Sequence, residues 1–213
     1  MLEYQRKFID LAIAHKALCF GEFTLKSGRA SPYFFNIGQL YTGSALAELG
    51  DCYGQAIFSA NIDIDILFGP AYKGIPLVTS TAIALARKYH RDLPWCFNRK
   101  EAKDHGEGGR LVGADLRGKV LIVDDVITAG TAVTDAINII EHAGAQPGAV
   151  IIGFNRLERG CHSLSATEEI EQQFKIPVIS VIDLNDIVDY LTMSGEEKQL
   201  SAMLAYRSKY GVT

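Results

Sequence analysis

A chain of 213 residues with 48% hydrophobic content can bury a sizeable core as one domain with a small appendage, and is too short for two full domains. A formal net charge of -4 and a pI near 5.7 exclude broad attraction to nucleic acid, which rests on clustered Lys and Arg, so no nucleic-acid partner is expected. The cysteines at 19, 52, 96 and 161 form no C-x-x-C pair and fit neither zinc nor redox spacing, and are read as reduced thiols of a cytoplasmic protein. Glu3, Arg6, Lys7 and Asp10 occupy the place of a secretory apolar stretch, and the most apolar uncharged run, residues 74–86, contains Pro76 and is too short to cross a bilayer. No membrane partner is expected.

Tyr4, Phe8, Leu11 and Leu18 recur near helical spacing, which predicts an amphipathic N-terminal helix. Residues 20–37, rich in aromatics and Thr around Ser27-Gly28-Arg29, predict strand, turn, strand. Residues 1–42 are therefore taken as a helix and small hood on a core of residues 43–213. The core alternates: a helix over 43–60, a strand at 64–68, a helix over 79–90 and a strand at 95–97. Residues 100–116 hold four glycines without periodicity and are expected to form a long irregular loop, a length that signals function or mobility. Val120, Leu121, Ile122 and Val123 predict a parallel strand buried on both faces. A helix over 131–143, a strand at 149–154, a helix opened by the Ser165/Glu168 capping box, a strand at 178–181 and a surface helix from about 198 complete the chain. Strict alternation implies an α/β fold with a mainly parallel central sheet flanked by helices, and ligands at the carboxyl ends of its strands.

The chemistry concentrates at those ends. Residues 120–132 read V-L-I-V-D-D-V-I-T-A-G-T-A: a buried strand, two adjacent carboxylates, then a small-residue turn opening a helix. Thr128, Ala129, Gly130 and Thr131 offer backbone N–H groups, hydroxyls and a helix N-terminus, which together cradle a phosphate. Asp124 and Asp125 can accept bonds from vicinal hydroxyls or lie beside a developing positive charge, so phosphate plus diol points to a phosphorylated ribose. Taken alone, two Asp at a strand end are ordinarily solvated loop formers. A Walker B reading requires a Walker A loop, and the nearest candidate, residues 69–74, is followed by Ile75 where Lys is needed. The glycines at 106–109 fail as a dinucleotide fingerprint, because Leu111 stands in the place of the last Gly.

A second strand end delivers Gly69-Pro70-Ala71-Tyr72-Lys73-Gly74, small residues and a Lys suited to a second anion. Across residues 98–110, Arg99, Lys100, Lys103 and Arg110 nearly balance Glu101, Asp104 and Glu107, so this segment is no polybasic patch. A Gly-rich lid carrying Arg, Lys and His can close over pyrophosphate and exclude water. His105 as a zinc ligand lacks a second His at motif distance.

The 120–132 string resembles the signature of the type I phosphoribosyltransferases. F-T-L-K-S-G-R-A-S-P-Y-F-F-N at 23–36, F-G-P-A-Y-K-G-I-P at 68–76 and N-R-K-E-A-K-D-H-G-E-G-G at 98–109 resemble the bacterial orotate phosphoribosyltransferase family, over about residues 3–190. The resemblance implies that orotate and 5-phosphoribosyl-1-pyrophosphate give orotidine 5'-monophosphate and pyrophosphate, with Mg2+ held mainly through substrate and water. Carried over by position, Lys26, Phe34, Phe35, Thr128 and Arg156 form the orotate site. Orotate is a flat anion, so an aromatic pair covering its face and a planar guanidinium on its carboxylate suit it.

The same resemblance gives Tyr72 and Lys73 to pyrophosphate, Asp124 and Asp125 to the ribose hydroxyls, and Val126, Ile127, Thr128, Ala129, Gly130, Thr131 and Ala132 to the 5'-phosphate. Lys26, Arg99, Lys100, Lys103 and His105 also fall to the phosphoribosyl pyrophosphate site. Lys103, His105, Asp125 and Arg99 are its candidate catalytic groups, and Lys100 is placed at the neighbouring subunit's substrate in a homodimer. An enzyme for another base shares the cradle but has no use for Lys26, Phe34, Phe35 and Arg156. A sensor of the sugar phosphate ordinarily carries an added DNA-binding segment, for which the hood leaves no room.

Overall fold

The computed structural model describes residues 1–25, 28–103, 109–160 and 163–212, and of residues 102, 103 and 109 the backbone alone. Helix α1 (Glu3–Ala14) buries Phe8, Ile9, Leu11 and Ala12; of the expected stripe Phe8 and Leu11 are buried and Tyr4 partly so, whereas Leu18 falls beyond the helix, in the strand that follows. It leads into the antiparallel hairpin of β1 (Leu18–Thr24) and β2 (Ala30–Phe35), the predicted hood. Then follow α2 (Gly43–Ala60), β3 (Ile66–Gly69), α3 (Gly74–Tyr89), β4 (Trp95–Lys103), β5 (Gly109–Gly113), β6 (Lys119–Asp124) and α4 (Thr131–His142). The chain ends with β7 (Gln146–Asn155), α5 (Ala166–Phe174), β8 (Val178–Asp183), α6 (Leu184–Ser194) and α7 (Glu197–Tyr210).

The larger sheet runs β5-β4-β3-β6-β7-β8, parallel throughout except for β5 at its edge. Strand β6 lies inside it, and its side chains Val120 to Val123 are fully buried because helices cover both faces. Period-two alternation divides them: Leu121 and Val123 join the apolar layer that includes Leu49 and Ile57 of α2, whereas Val120 and Ile122 join Val133 and Ile137 of α4. The first of these layers is continuous with the hood, since it takes in Phe8, Tyr33 and Tyr206 as well as the sheet.

Three expectations change. Helix α3 starts at Gly74, ahead of the expected 79, because Pro76 falls in the first turn, where a missing N–H removes no helical bond. Residues 100–116 are not an irregular loop throughout: β4 extends to Lys103 and pairs antiparallel with β5, Phe97 opposite Val112 and Asn98 opposite Leu111. The helix expected from about 198 is present as α7, and a second, unexpected helix, α6, precedes it. Asp183 caps α6 through the N–H groups of Asn185 and Asp186, and α7 buries Met203 and Tyr206. Among the described residues, no helix is long and apolar enough to cross a membrane.

Candidate active site

Strand β6 ends in two carboxylates that are held by the backbone behind them. Asp124 and Asp125 are both buried, and the Asp125 N–H donates to Asp124 Oδ1 at 2.9 Å. The hydroxyl of Tyr53, on α2, donates to the Asp124 carbonyl at 2.8 Å. From β7, the N–H of Gly153 donates to the Asp125 carbonyl at 2.9 Å. Gly153 has no room for a side chain: a Cβ there would lie 2.7 Å from Tyr53 Oη. Burial first, and the neighbouring Asp125 charge second, push the Asp124 carboxyl up to about 7.

The lysine-bearing turn lies at the end of the neighbouring parallel strand, β3. After β3 the chain turns through residues 70–73, and Lys73 Nζ reaches Asp125 Oδ2 at 2.5 Å. The turn is tight because Gly69 and Gly74 pack backbone on backbone, where a Cβ on Gly74 would sit 2.7 Å from the Gly69 carbonyl carbon. Its outer side is held by the Ala71 N–H, which donates to Asn98 Oδ1 at 2.9 Å. Lys100 Nζ, on β4, lies 5.0 Å from the Tyr72 ring centroid, joining the turn to the strand by a cation–π contact.

The residues expected to cradle a phosphate form a loop that opens α4. Gly130 adopts a left-handed conformation with φ +70°, which frees the next N–H groups to open outward at the helix start. Thr128, Ala129, Thr131 and Ala132 are exposed and Val126 is half-buried, but Ile127 is buried in the core beside Val133. Ile127 therefore offers the cradle only its backbone.

On the hood, Phe34 and Phe35 do not form an aromatic pair. Adjacent residues of a strand face opposite ways, so Phe34 is exposed against Phe23, while Phe35 packs on Phe8 and Phe154. Only the Phe34 ring is open to a planar ligand. Arg156, just beyond β7, directs Nε to Tyr33 Oη at 3.0 Å and to Glu158 Oε1 at 2.9 Å. Its Nη2 lies 2.7 Å from Glu158 Oε1 but not in hydrogen-bonding orientation, and is buried without a bonded partner. Arg99 lies beside Lys100 on β4. Lys26 and His105 lie outside the described residues, as does the side chain of Lys103.

Tyr53, Asn98, Gly153 and Glu158 escaped sequence reasoning. Gly153, alone within an apolar run beside the site strand, was the available signal; the others show themselves only by their partners. A cavity of about 820 Å3 lies between the hood hairpin and α7, lined by Phe20, Pro32, Ala202 and Tyr206, and contains none of the cradle residues.

An open helix start, a lysine-bearing turn and two buried carboxylates thus meet at neighbouring strand ends. Residues 36–159 match the family model for the phosphoribosyl transferase domain. The orotate phosphoribosyltransferase of Cellvibrio japonicus is 62% identical over 213 residues, covering 100% of this chain and 99% of that one. That of Pseudomonas aeruginosa is 57% identical, with 100% of both chains covered. The solved structure of the Francisella tularensis orotate phosphoribosyltransferase superposes with a TM-score of 0.87 at 45% identity, covering 96% of this chain and 98% of that one. With the strand-end acid pair, its helix cradle and full-length similarity in agreement, the chain belongs to the orotate phosphoribosyltransferase family.

Proposed function

We propose that the protein transfers the 5-phosphoribosyl group from 5-phosphoribosyl-1-pyrophosphate to orotate, giving orotidine 5'-monophosphate and pyrophosphate in pyrimidine biosynthesis. One observation carries this reading: Asp124 and Asp125 stand between the start of α4, which follows them in the chain, and the Lys73 turn, which pairs with Asp125, an order that suits a diol between two phosphate groups. The N–H groups of residues 126–132 take the 5'-phosphate, the two Asp carboxylates accept from the ribose hydroxyls, and Tyr72 and Lys73 hold the pyrophosphate. As the bond from the anomeric carbon to pyrophosphate lengthens, the ring turns oxocarbenium-like. Asp125 stabilises that charge, while Lys73, Arg99, Lys103 and His105 neutralise the leaving group. The orotate nitrogen then attacks, with Arg156 on its carboxylate and Phe34 against its face.

A hard cation that keeps most of its waters suits this donor set, because the carboxylates that end β6 are Asp124 and Asp125, and Asp125 already pairs with Lys73. Among the described residues no group of three His, Cys, Asp or Glu gathers to cage a metal. Asp124 and Asp125 would hold Mg2+ through water and the sugar hydroxyls. When bound it supplies Lewis acidity at the pyrophosphate. Two chains form a homodimer in the cytoplasm, with Lys100 of each reaching the neighbouring site.

Turnover with Mg2+ and phosphoribosyl pyrophosphate against orotate, uracil, hypoxanthine and adenine tests this reading. Nucleotide forms with orotate alone. Preference for another base overturns the orotate site while keeping the cradle, and binding of the sugar substrate without turnover of any base makes the protein a sensor.

A further inference from the structure

Glu158 lies two residues beyond Arg156 and gathers donors from four places in the chain. Its Oε1 accepts from Arg156 Nε at 2.9 Å, Tyr33 Oη of the hood at 3.0 Å and Tyr206 Oη of α7 at 2.7 Å. Its Oε2 lies 3.4 Å from Arg29 Nη1, at the edge of hydrogen-bonding distance. The Glu158 side chain is only 13% exposed, so this buried carboxylate is matched by cations and hydroxyls rather than by water. Burial pushes the Tyr33 hydroxyl well up, and burial together with the Glu158 bond pushes that of Tyr206 up to about 12, so both stay protonated and donate.

The backbone around Glu158 is tied down as well. Leu157 takes a left-handed φ of +50°, reversing the chain so that the side chains on either side of it converge. The Val212 N–H donates to the Leu157 carbonyl at 2.8 Å, and the Arg159 N–H to the Tyr210 carbonyl at 2.9 Å. The last residues of the chain thereby lock the turn that carries Arg156.

We propose that Glu158 is a positioning residue that sets orotate specificity: it holds the Arg156 guanidinium along its Nε side, with the buried Nη2 alongside, so that Nη1 is presented to the carboxylate of the base. This rests on Arg156 binding orotate. A guanidinium is a rigid planar group, so holding one side sets the direction of the other, and its charge-assisted bond to a carboxylate is weakened when the plane rotates. Glu158 also acts oppositely, since its negative charge repels the orotate carboxylate. Orientation outweighs repulsion here because the Glu158 charge is already divided among four donors, whereas an unheld Arg156 would turn toward solvent.

Steady-state kinetics of Glu158→Gln, Tyr33→Phe and Arg156→Ala, with thermal unfolding in parallel, test the proposal. The Gln side chain keeps the volume but brings an amide donor among donors. Its expected effect is a rise of about tenfold or more in the KM for orotate, with the KM for phosphoribosyl pyrophosphate held within about twofold. Tyr33→Phe, which removes a hydroxyl bonded to both Arg156 and Glu158, moves the orotate KM the same way by about threefold or more, and decides the matter if Glu158→Gln does not fold. Equal changes in both KM values assign Glu158 a merely structural role and overturn the proposal, as does a fall in the orotate KM. If Arg156→Ala raises the orotate KM and neither other variant does, Arg156 keeps its role and Glu158 loses the one proposed. If none of the three raises it, the Arg156 reading itself fails.

Discussion

Lys73 Nζ donates to Asp125 Oδ2 at 2.5 Å, joining the ends of two neighbouring strands through residues 52 positions apart in sequence. Lys73 is about half exposed, so water screens its pairing with the buried Asp125, and the pair matters more for the placement of charge than for stability. The residue proposed to hold pyrophosphate is thus the cation that screens Asp125 in the free protein.

Lys73→Ala should therefore lower kcat/KM for phosphoribosyl pyrophosphate by roughly tenfold or more, about 1.4 kcal/mol per decade, while Tm falls by only a few degrees. Kinetics with the sugar substrate varied at saturating orotate make the measurement. A value within about twofold of the parent protein would remove Lys73 from the pyrophosphate site.

Asp124 gives a pH signature. Its pKa rises on folding from 3.8 to about 7, chiefly by burial, so the folded chain takes up a proton that the unfolded chain releases. Stability from this residue is thus fully present below pH 3.8 and is lost progressively as pH rises to about 7. Asp124→Asn abolishes that loss. Its Tm advantage over the parent should widen between about pH 4 and 7 and then stay constant, while kcat falls by roughly tenfold or more because a diol acceptor is gone. Parallel melting curves across that range would show no widening if Asp124 were ionised throughout.

Gly153 and Tyr53 should behave as a coupled pair. A Cβ at Gly153 meets Tyr53 Oη at 2.7 Å and the Asp125 carbonyl at 3.3 Å, so Gly153→Ala should cost about 1–3 kcal/mol and reduce kcat by displacing the acid pair. Tyr53→Phe alone leaves the Asp124 carbonyl short of its bond, at a cost of about 1–3 kcal/mol. Combined, the two should cost less than their sum, because the phenyl ring relieves the clash. Denaturant unfolding of the four proteins closes the cycle, and strict additivity would place Gly153 and Tyr53 out of contact.

Metal removal separates fold from chemistry. Since Mg2+ is proposed to bind mainly through substrate and water, EDTA should abolish turnover without changing Tm in the absence of substrate, and added Mg2+ should restore activity in full. A drop in Tm on chelation alone would reveal a metal held by the protein itself.

The α/β fold and the acid-pair cradle were legible in the sequence because each is local. Strand β6, its two carboxylates and the start of α4 are contiguous, and their order alone dictates where they meet. Two further features were legible and went unread: period-two alternation already separates Phe34 from Phe35, and Asp183, three residues before Asp186, is a capping pair that announces α6. What only the tertiary structure decided is the choice of partners. Lys73 on Asp125, Tyr53 on the Asp124 carbonyl, Asn98 on the Ala71 N–H and Tyr206 on Glu158 join residues 27 to 71 positions apart. No local propensity selects such pairs; they form because sheet order and helix packing bring those groups to one place, where a buried polar group is costly until it is matched.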